Sequence, residues 1–493
     1  MIILFVVLPL VIAGILPLAG RLSRRVLPDL LANAALFFLL VWAVVACRPL
    51  IANGPVVQQL AWFGEAVNLR LALDGLSLFM LLAVSLVGLC CSLFSIDYME
   101  HYGAKAGYYS LFLVMTAGMN GLILSADLFS VYLFLEVAAV ASYALVAFGL
   151  EPDELEASFK YLMLSVVASA FLLVGVAVIF GLSGSLDFAS TASALKELNA
   201  GAAVAVAAAM FIFGFGLKAA LMPFHSWLPD AHPSAPAPIS AMLSGLLIKV
   251  SGVYALTRVI LNVFGLTPAL SKVLLALGAV SMVLAALLAV GQKDIKRMLA
   301  YSSISQVGYI ILGLGLGTPL GIVGGLFHLF NHALAKGLLF LTTGSIQQST
   351  GTRNLDEMGG LAKRMPFTSL ANLVGSLSIA GVPPLNGFWS KLIIIVALFQ
   401  AGQTFLALLA ILASVITLWY YLLMQRKAFF GKLNEKWRAV REAPFWMTAT
   451  TVLLALLCIA LGLFFSAAIT SWVQPAADVL ASGTRAVTGS WGF

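Results

Sequence analysis

The sequence predicts an all-α polytopic membrane protein of about 14 transmembrane helices, with two inverted five-helix repeats and two discontinuous helices. Three observations carry this. Of its 493 residues 62% are hydrophobic and only 10% charged, and mean hydropathy is +1.05, whereas soluble chains carry about 25% charged residues. Apolar runs long enough to cross a bilayer, about 20 residues each, recur along the whole chain. Two of these runs are interrupted by proline.

The predicted spans start near Ile2, Leu27, Leu71, Tyr109, Leu128, Ala157, Gly201, Ile239, Leu270, Met298, Gly321, Phe367, Thr404 and Phe445. The first reads as a true helix and not as a cleavable leader, because Arg21, Arg24 and Arg25 follow it. Between the second and third spans, alternating residues around Val56-Val57 and Leu69-Leu71 suit a small hairpin. Ser183 to Asn199 suits an amphipathic surface helix. The two interruptions are Met222 to Pro229 and Gly381 to Gly387. Proline lacks a backbone donor and clashes with the preceding turn, so both helices should be broken there.

An internal repeat supports the same plan. Asp127-Leu128 and Asp294-Ile295 each open a span, Ala157-Ser-Phe-Lys160 is echoed by Ala333-Leu-Ala-Lys336, and a proline break follows each. Discontinuous helices at matching places in two repeats point to an ion site at the repeat interface. Five helices per repeat, an odd number, would invert one copy relative to the other. The expected units are residues 1–108 (helices 1–3), 109–262 (first repeat), 268–428 (second repeat) and 429–493 (the last helix and tail).

Charge sets the orientation. With the N-terminus outside, the inner loops hold Arg21, Arg24, Arg25, Lys105, Lys293, Lys296, Arg297, Arg353, Lys363, Arg364 and the basic run from Arg426 to Arg441. The outer face keeps Arg48, Arg70, Lys196, Lys272, Arg485 and Arg258. That bias places both termini outside. The net charge of +7 is spread too thinly to bind nucleic acid. Cys47, Cys90, Cys91 and Cys458 form no CxxC, so neither a zinc site nor an iron–sulfur cluster is indicated.

Six charges fall inside the spans: Glu136, Lys160, Lys218, Lys249, Lys336 and Lys391. Each would cost roughly 2.5–3.5 kcal/mol facing lipid at mid-depth, and such residues mark ion pathways. Lys160, near its span's start, equally suits a lysine snorkelling to the interface. Glu136 is expected to pair with a lysine from another helix. His328, His332 and Lys336 stack along one helix face at i, i+4, i+8. That stripe suits a proton relay better than isolated hydrogen-bonding histidines; a metal would want Glu or Cys ligands that are missing. His225, His232 and Asp230, beside the first break, are secondary candidates with Lys160. Desolvation disfavours the charged form of a buried lysine and a nearby carboxylate favours it. A changing Glu136–Lys218 separation would therefore switch proton affinity along the row. A solute carrier and a structural scaffold are rival readings, but neither gives the charge row a purpose.

Gly214-Phe-Gly-Leu-Lys218, followed by PFHSWLPDAHPSAPAPISAMLSGLLIK (Pro223 to Lys249), resembles the antiporter-like subunits shared by respiratory complex I, membrane-bound hydrogenases and Mrp cation/proton antiporters. The likeness continues through Asp294 to Ser303 and Ser305 to Gly308. FHLFNHALAKGLLFL (Phe327 to Leu341) and AGVPPLNGFWSK (Ala380 to Lys391) extend it, so that it covers roughly residues 70 to 430. It implies fourteen helices with the seventh and twelfth broken. Glu136 would match the helix-five glutamate, Lys218 its partner, Lys249 the central lysine and Lys391 the exit residue. His332 and Lys336, with His328 beside them, would form the connecting polar axis. The residue before the glutamate is Leu135 where the family commonly has Trp. Lys391 in place of a glutamate argues against one of the three complex I paralogues, and the missing lateral helix after the last span against the largest, while His225 and His232 favour a membrane-bound hydrogenase or complex I-like setting. The alternative is a D-type component of an Mrp multisubunit Na+/H+ antiporter. The resemblance implies a proton-translocating subunit of a prokaryotic cell membrane with no cofactor in this chain. Its implied partners are other antiporter-like and small membrane subunits, the lipid bilayer and, in the redox branches, peripheral redox subunits.

Overall fold

A computed structural model describes residues 2–60, 69–198 and 201–481; Arg485 and Asn199 lie outside these. Helix α1 spans Leu4–Leu22, α2 Val26–Asn53, α3 Gly75–Tyr98, α4 Lys105–Leu124, α5 Leu128–Val146 and α6 Pro152–Ser183. Strands β1 (Val56–Leu60) and β2 (Leu69–Leu73) pair antiparallel between α2 and α3, with Val57 opposite Ala72. The expected hairpin is present, and the third span starts at Gly75 and not near Leu71. Asp74 sets that start: its carboxylate accepts from Ser77 N–H at 2.8 Å and Ser77 Oγ accepts from Asp74 N–H at 2.7 Å, a reciprocal cap.

The amphipathic helix α7 covers Phe188–Glu197. Helix α8 (Gly201–Lys218) stops at the first break, and after a tight turn the short α9 (Leu228–Ser234) leads into α10, Ala237–Phe264. Much of α10 is wound in wide π-type turns, over Leu243–Tyr254 and Arg258–Phe264, which the sequence pattern did not announce. Then come α11 (Pro268–Val290), α12 (Ile295–Gly315), α13 (Pro319–Thr350), the broken pair α14 (Pro366–Ala380) and α15 (Asn386–Gln400), α16 (Thr404–Ala428), α17 (Phe445–Leu463) and α18 over 465–481. Among the described residues thirteen helices are long and apolar enough to cross a membrane. The broken pair α14–α15 makes a fourteenth crossing.

The repeat is visible in how α5 and α12 begin. Asp127 caps α5 through Ser130 N–H at 2.7 Å and its backbone forms an isolated antiparallel β-bridge with that of Asp187; Asp294 caps α12 through Arg297 N–H at 3.0 Å and its backbone forms the same bridge with Asn354. The two caps sit at opposite ends of the bundle. Asp127 lies with β2, accepting from Arg70 N–H, whereas Asp294 lies with Arg353 at the end where α5 gives way to α6. The second copy is thus inverted. The Ala-x-x-Lys echo, however, does not fall on matching positions. Helices α6 and α13 are both 32 residues long, both open on proline and both end before a left-handed glycine. Counted from those prolines, Ser165 matches His332 and Ser169 matches Lys336, while Lys160 stands about two and a half turns nearer the helix start than Ser169.

Helices α10 and α13 are buried throughout their most apolar 18-residue stretches, and α1, α2 and α6 present rows of exposed apolar side chains such as Val11, Phe37 and Phe159. A chain with lipid outside needs no polar coat, so polarity is concentrated within. Close packing there rests on small residues: a Cβ on Gly308 would lie 2.6 Å from Gly278 O across the α11–α12 contact. Three basic residues expected in loops are instead buried. Lys105 is ion-paired to Asp29 at 2.8 Å and Glu100 at 2.7 Å, Lys296 is 1% exposed, and Arg258 is 2% exposed and paired with Asp74. In each case a neighbouring acid or carbonyl compensates the charge, which hydropathy along the chain cannot register. Replacing Arg258 by methionine should destabilise the protein by about 3–5 kcal/mol, the cost of stranding a buried partner charge. Removing both groups (D74N/R258M) should recover part of that loss, as measured by thermal unfolding in detergent.

Candidate functional site: a buried charge row

The row starts where α5, α6 and the end of α8 meet. Glu136 lies in the third turn of α5, and Lys218 is the last residue of α8, brought there by the break that follows it. Lys218 Nζ stands 3.6 Å from Glu136 Oε1. That is an ion pair and too long for a direct hydrogen bond. Two serines one turn apart on α6 fill the interval: Lys218 Nζ donates to Ser165 Oγ at 2.5 Å, and Ser169 Oγ donates to Glu136. The Lys218 side chain is 3% exposed, against 28% for Glu136, so the carboxylate is the end nearer the protein surface.

Lys249 follows on α10, fully buried. Its ammonium donates to the Ser244 carbonyl, within the stretch where wide turns replace α-helical geometry. Among the described residues it has no ion-pair partner. Ser244 Oγ meets Ser303 Oγ of α12 at 2.7 Å. Helix α10 touches the turn after α8 so closely that a Cβ on Gly252 would fall 2.4 Å from Ala219 Cα.

On α13 the three expected residues do share one face. The rings of His328 and His332 are 6.2 Å apart. His328 meets Ser390 Oγ at 2.9 Å and Gln306 Oε1 at 3.1 Å, and Lys336 donates to Leu299 O at 2.9 Å and Tyr421 Oη at 3.1 Å. His332 is fully buried, and neither of its ring nitrogens has a hydrogen-bond partner among the described residues. Lys391, in the second turn of α15 after the second break, donates to Ser414 Oγ at 3.1 Å and lies 4.6 Å over the Tyr309 ring. Cation–π contact, that hydroxyl and the more distant Ala380 carbonyl, at 3.5 Å, therefore replace a carboxylate as its compensation.

The helices pack in order, α5 on α6, α6 on α8, α8 on α10, α10 on α13 and α13 on α15. Glu136, Lys218, Lys249, the α13 stripe and Lys391 thus run across the bundle and not along one helix. The secondary candidates are placed otherwise. Lys160 is 48% exposed and paired with Glu156 at 2.7 Å and Asp230 at 3.3 Å, so it belongs to the surface and not to the row. Asp230 also holds Arg297 at 2.9 Å, His225 is half-buried against Pro223 O, and His232 is wholly buried. Sequence reasoning missed Ser165, Ser169, Tyr309, Ser414 and Tyr421. The two serines carried a legible signal, an i, i+4 pair inside an apolar helix; the tyrosines did not. Among the described residues no three His, Cys, Asp or Glu side chains gather as a metal site would require.

A bundle of lipid-facing helices with inverted repeats, two broken crossings and a row of buried ionisable groups defines a multi-pass membrane protein of the ion-translocator type. Residues 125–417 match the model of the NADH:quinone oxidoreductase/Mrp antiporter transmembrane family, and residues 62–109 match that of the complex I chain 5 N-terminus. The chain belongs to this family of antiporter-like subunits. It is 33% identical over 489 residues to NADH-quinone oxidoreductase subunit N of Desulforudis audaxviator, covering 96% of this chain and 97% of that one. To hydrogenase-4 component B of Escherichia coli it is 35% identical, over 83% of this chain and 64% of the longer relative. Its fold superposes on a chain of the Mrp complex from a Dietzia species with a TM-score of 0.91 and 30% identity, covering 100% and 99% of the two chains.

Proposed function

We propose that this chain is a proton-translocating membrane subunit of a multisubunit energy-converting complex, moving protons along Glu136, Lys218, Lys249, the His328–His332–Lys336 stripe and Lys391. The observation that supports it best is the row itself: charged or ionisable groups on successive helices, buried except for the partly exposed Glu136, with hydroxyls and carbonyls beside most of them. Shortening the Glu136–Lys218 separation favours a proton on the lysine, and lengthening it drives that proton toward Lys249. Lysine and histidine suit protons, whereas a sodium site would want clustered oxygen ligands. The chain has no cofactor fingerprint in its sequence, so in a hydrogenase-like or complex I-like setting electron transfer belongs to partner chains. An Mrp-type antiporter is the second setting, favoured by the end-to-end likeness to the Dietzia Mrp chain.

Basic residues favour one orientation. The face with Arg21, Arg24, Arg25, Lys293, Arg297 and Lys363 would be cytoplasmic, and the face with the β1–β2 hairpin outside. The partial exposure of Glu136 suggests that a neighbouring membrane subunit abuts α5. Lys249→Met tests the reading. In membrane vesicles holding the assembled complex, proton uptake followed by a pH-gradient dye should fall at least tenfold with subunit content unchanged. Wild-type uptake would remove the row from the mechanism.

A further inference from the structure

None of the row residues lines either of two polar clefts on the face that the basic residues mark as cytoplasmic. A polar cleft of about 270 Å³ lies on that face, lined by Tyr98, Tyr102, Glu151, Asp153, Glu154, Ser234, Lys296 and Arg353. It adjoins a second of about 390 Å³ holding Asp153, Glu156, Lys160, Asp230, Asp294 and Arg297, and the two share Asp153, Pro233, Ser234 and Arg353. Glu151 and Asp153 are exposed at the mouth and Glu154 is buried beneath them. Lys296, the second residue of α12, forms part of the wall while itself 1% exposed, and its ammonium donates to Ala235 O at 2.9 Å. It lies within electrostatic reach of Glu154, Asp294 and Arg353.

His232 lies on α9, three residues before the Ala235 whose carbonyl takes the Lys296 ammonium. It is 0% exposed, neither ring nitrogen has a hydrogen-bond partner among the described residues, and its ring lies 4.6 Å from that of Phe340, one turn beyond Lys336 on α13. The groups acting on it electrostatically are Lys336, Lys249 and Lys296. Two of these belong to the row and the third to the cleft. A fully buried imidazole among three amines is costly as a structural filler, but it joins them chemically, since it accepts at one nitrogen and donates at the other.

We infer that this cleft is a proton entrance, with Glu154 passing protons to Lys296 and His232 carrying them from Lys296 to the row at Lys336 and Lys249. This rests on the proton-translocating reading above and adds three residues to it, Glu154, Lys296 and His232. Each step moves one proton and no electrons. The Glu154 carboxyl gives its proton to the Lys296 amine, and the resulting ammonium passes it to one His232 nitrogen. The opposite ring nitrogen then releases a proton to a row lysine.

The decisive variant is Lys296→Arg. It keeps the positive charge and can keep the bond to Ala235 O, yet guanidinium does not release its proton. The assembled complex should retain its subunit composition while proton uptake in vesicles falls at least tenfold; Lys296→Met should fall equally. In a Cys47→Ser background, Asp153→Cys should lose uptake several-fold when a bulky, membrane-impermeant maleimide is added from the cytoplasmic side. Added from the outer side, the reagent should leave uptake unchanged, as should the same adduct on Lys432→Cys. Wild-type uptake by Lys296→Arg and by the blocked Asp153→Cys, with Lys249→Met inactive, would overturn the entrance and leave the row standing. Wild-type uptake by all three would overturn both.

Discussion

Lys218→Ala is expected to abolish proton translocation, to below about a hundredth of the wild-type rate, in a complex whose subunit composition is unchanged. Three features combine at this residue. It ends α8 at the first break, its side chain is 3% exposed, and it is held at once by a carboxylate at 3.6 Å and a serine hydroxyl at 2.5 Å. Alanine removes the proton carrier outright, and no neighbour among the described residues can take its place between Glu136 and Lys249. Glu136→Gln should cost less, about ten- to a hundredfold, because it removes only the charge that compensates the ammonium. The E136Q/K218A double variant should be no slower than Lys218→Ala alone, since residues acting as one unit lose their effect together. Additive losses in pH-gradient dye assays would mean that the two act separately.

Lys391→Met is the second change with a large expected effect, a loss of at least tenfold in uptake. Here compensation comes from Ser414 Oγ and from the face of Tyr309, whose hydroxyl is fastened to Ala410 O at 2.5 Å. Tyr309→Phe keeps the ring beneath the ammonium and should retain most activity. Tyr309→Leu removes the π face and should cost up to about thirtyfold, since a desolvated cation–π contact contributes about 2 kcal/mol. If Phe and Leu behave alike at this position, the ring does not hold the lysine.

Much of the architecture was legible because lipid leaves a strong mark on sequence. Runs of apolar residues gave the spans, and the prolines at 223, 229, 383 and 384 gave the breaks, whose positions the structure reproduces. Glu136 and Lys218 were readable as partners because each is an isolated charge in an apolar run. What hydropathy could not resolve was depth at the ends of helices. Lys160, Lys296 and Arg258 all lie near span boundaries, yet the first is half exposed and the others are buried, because the deciding groups, Asp230, Ala235 O and Asp74, come from remote segments. The Ala-x-x-Lys echo misled for a related reason. Repeat register is set by where a helix begins, and only the opening prolines of α6 and α13 reveal that Ser165 and Ser169 answer His332 and Lys336.

The contact between Gly252 and Ala219 has a mechanical consequence. With no room for even one methyl group, the turn that follows Lys218 and the middle of α10 behave as a single stiff strut, and Lys218 and Lys249 keep a nearly constant backbone spacing. Motion that opens or closes the first ion pair must then come from the other side of the joint, from α5 with Glu136 or from α6 with its two serines. A force exerted on α5 by whatever abuts it would be felt at the lysine as a change of counter-charge, with the backbone beneath the lysine standing still.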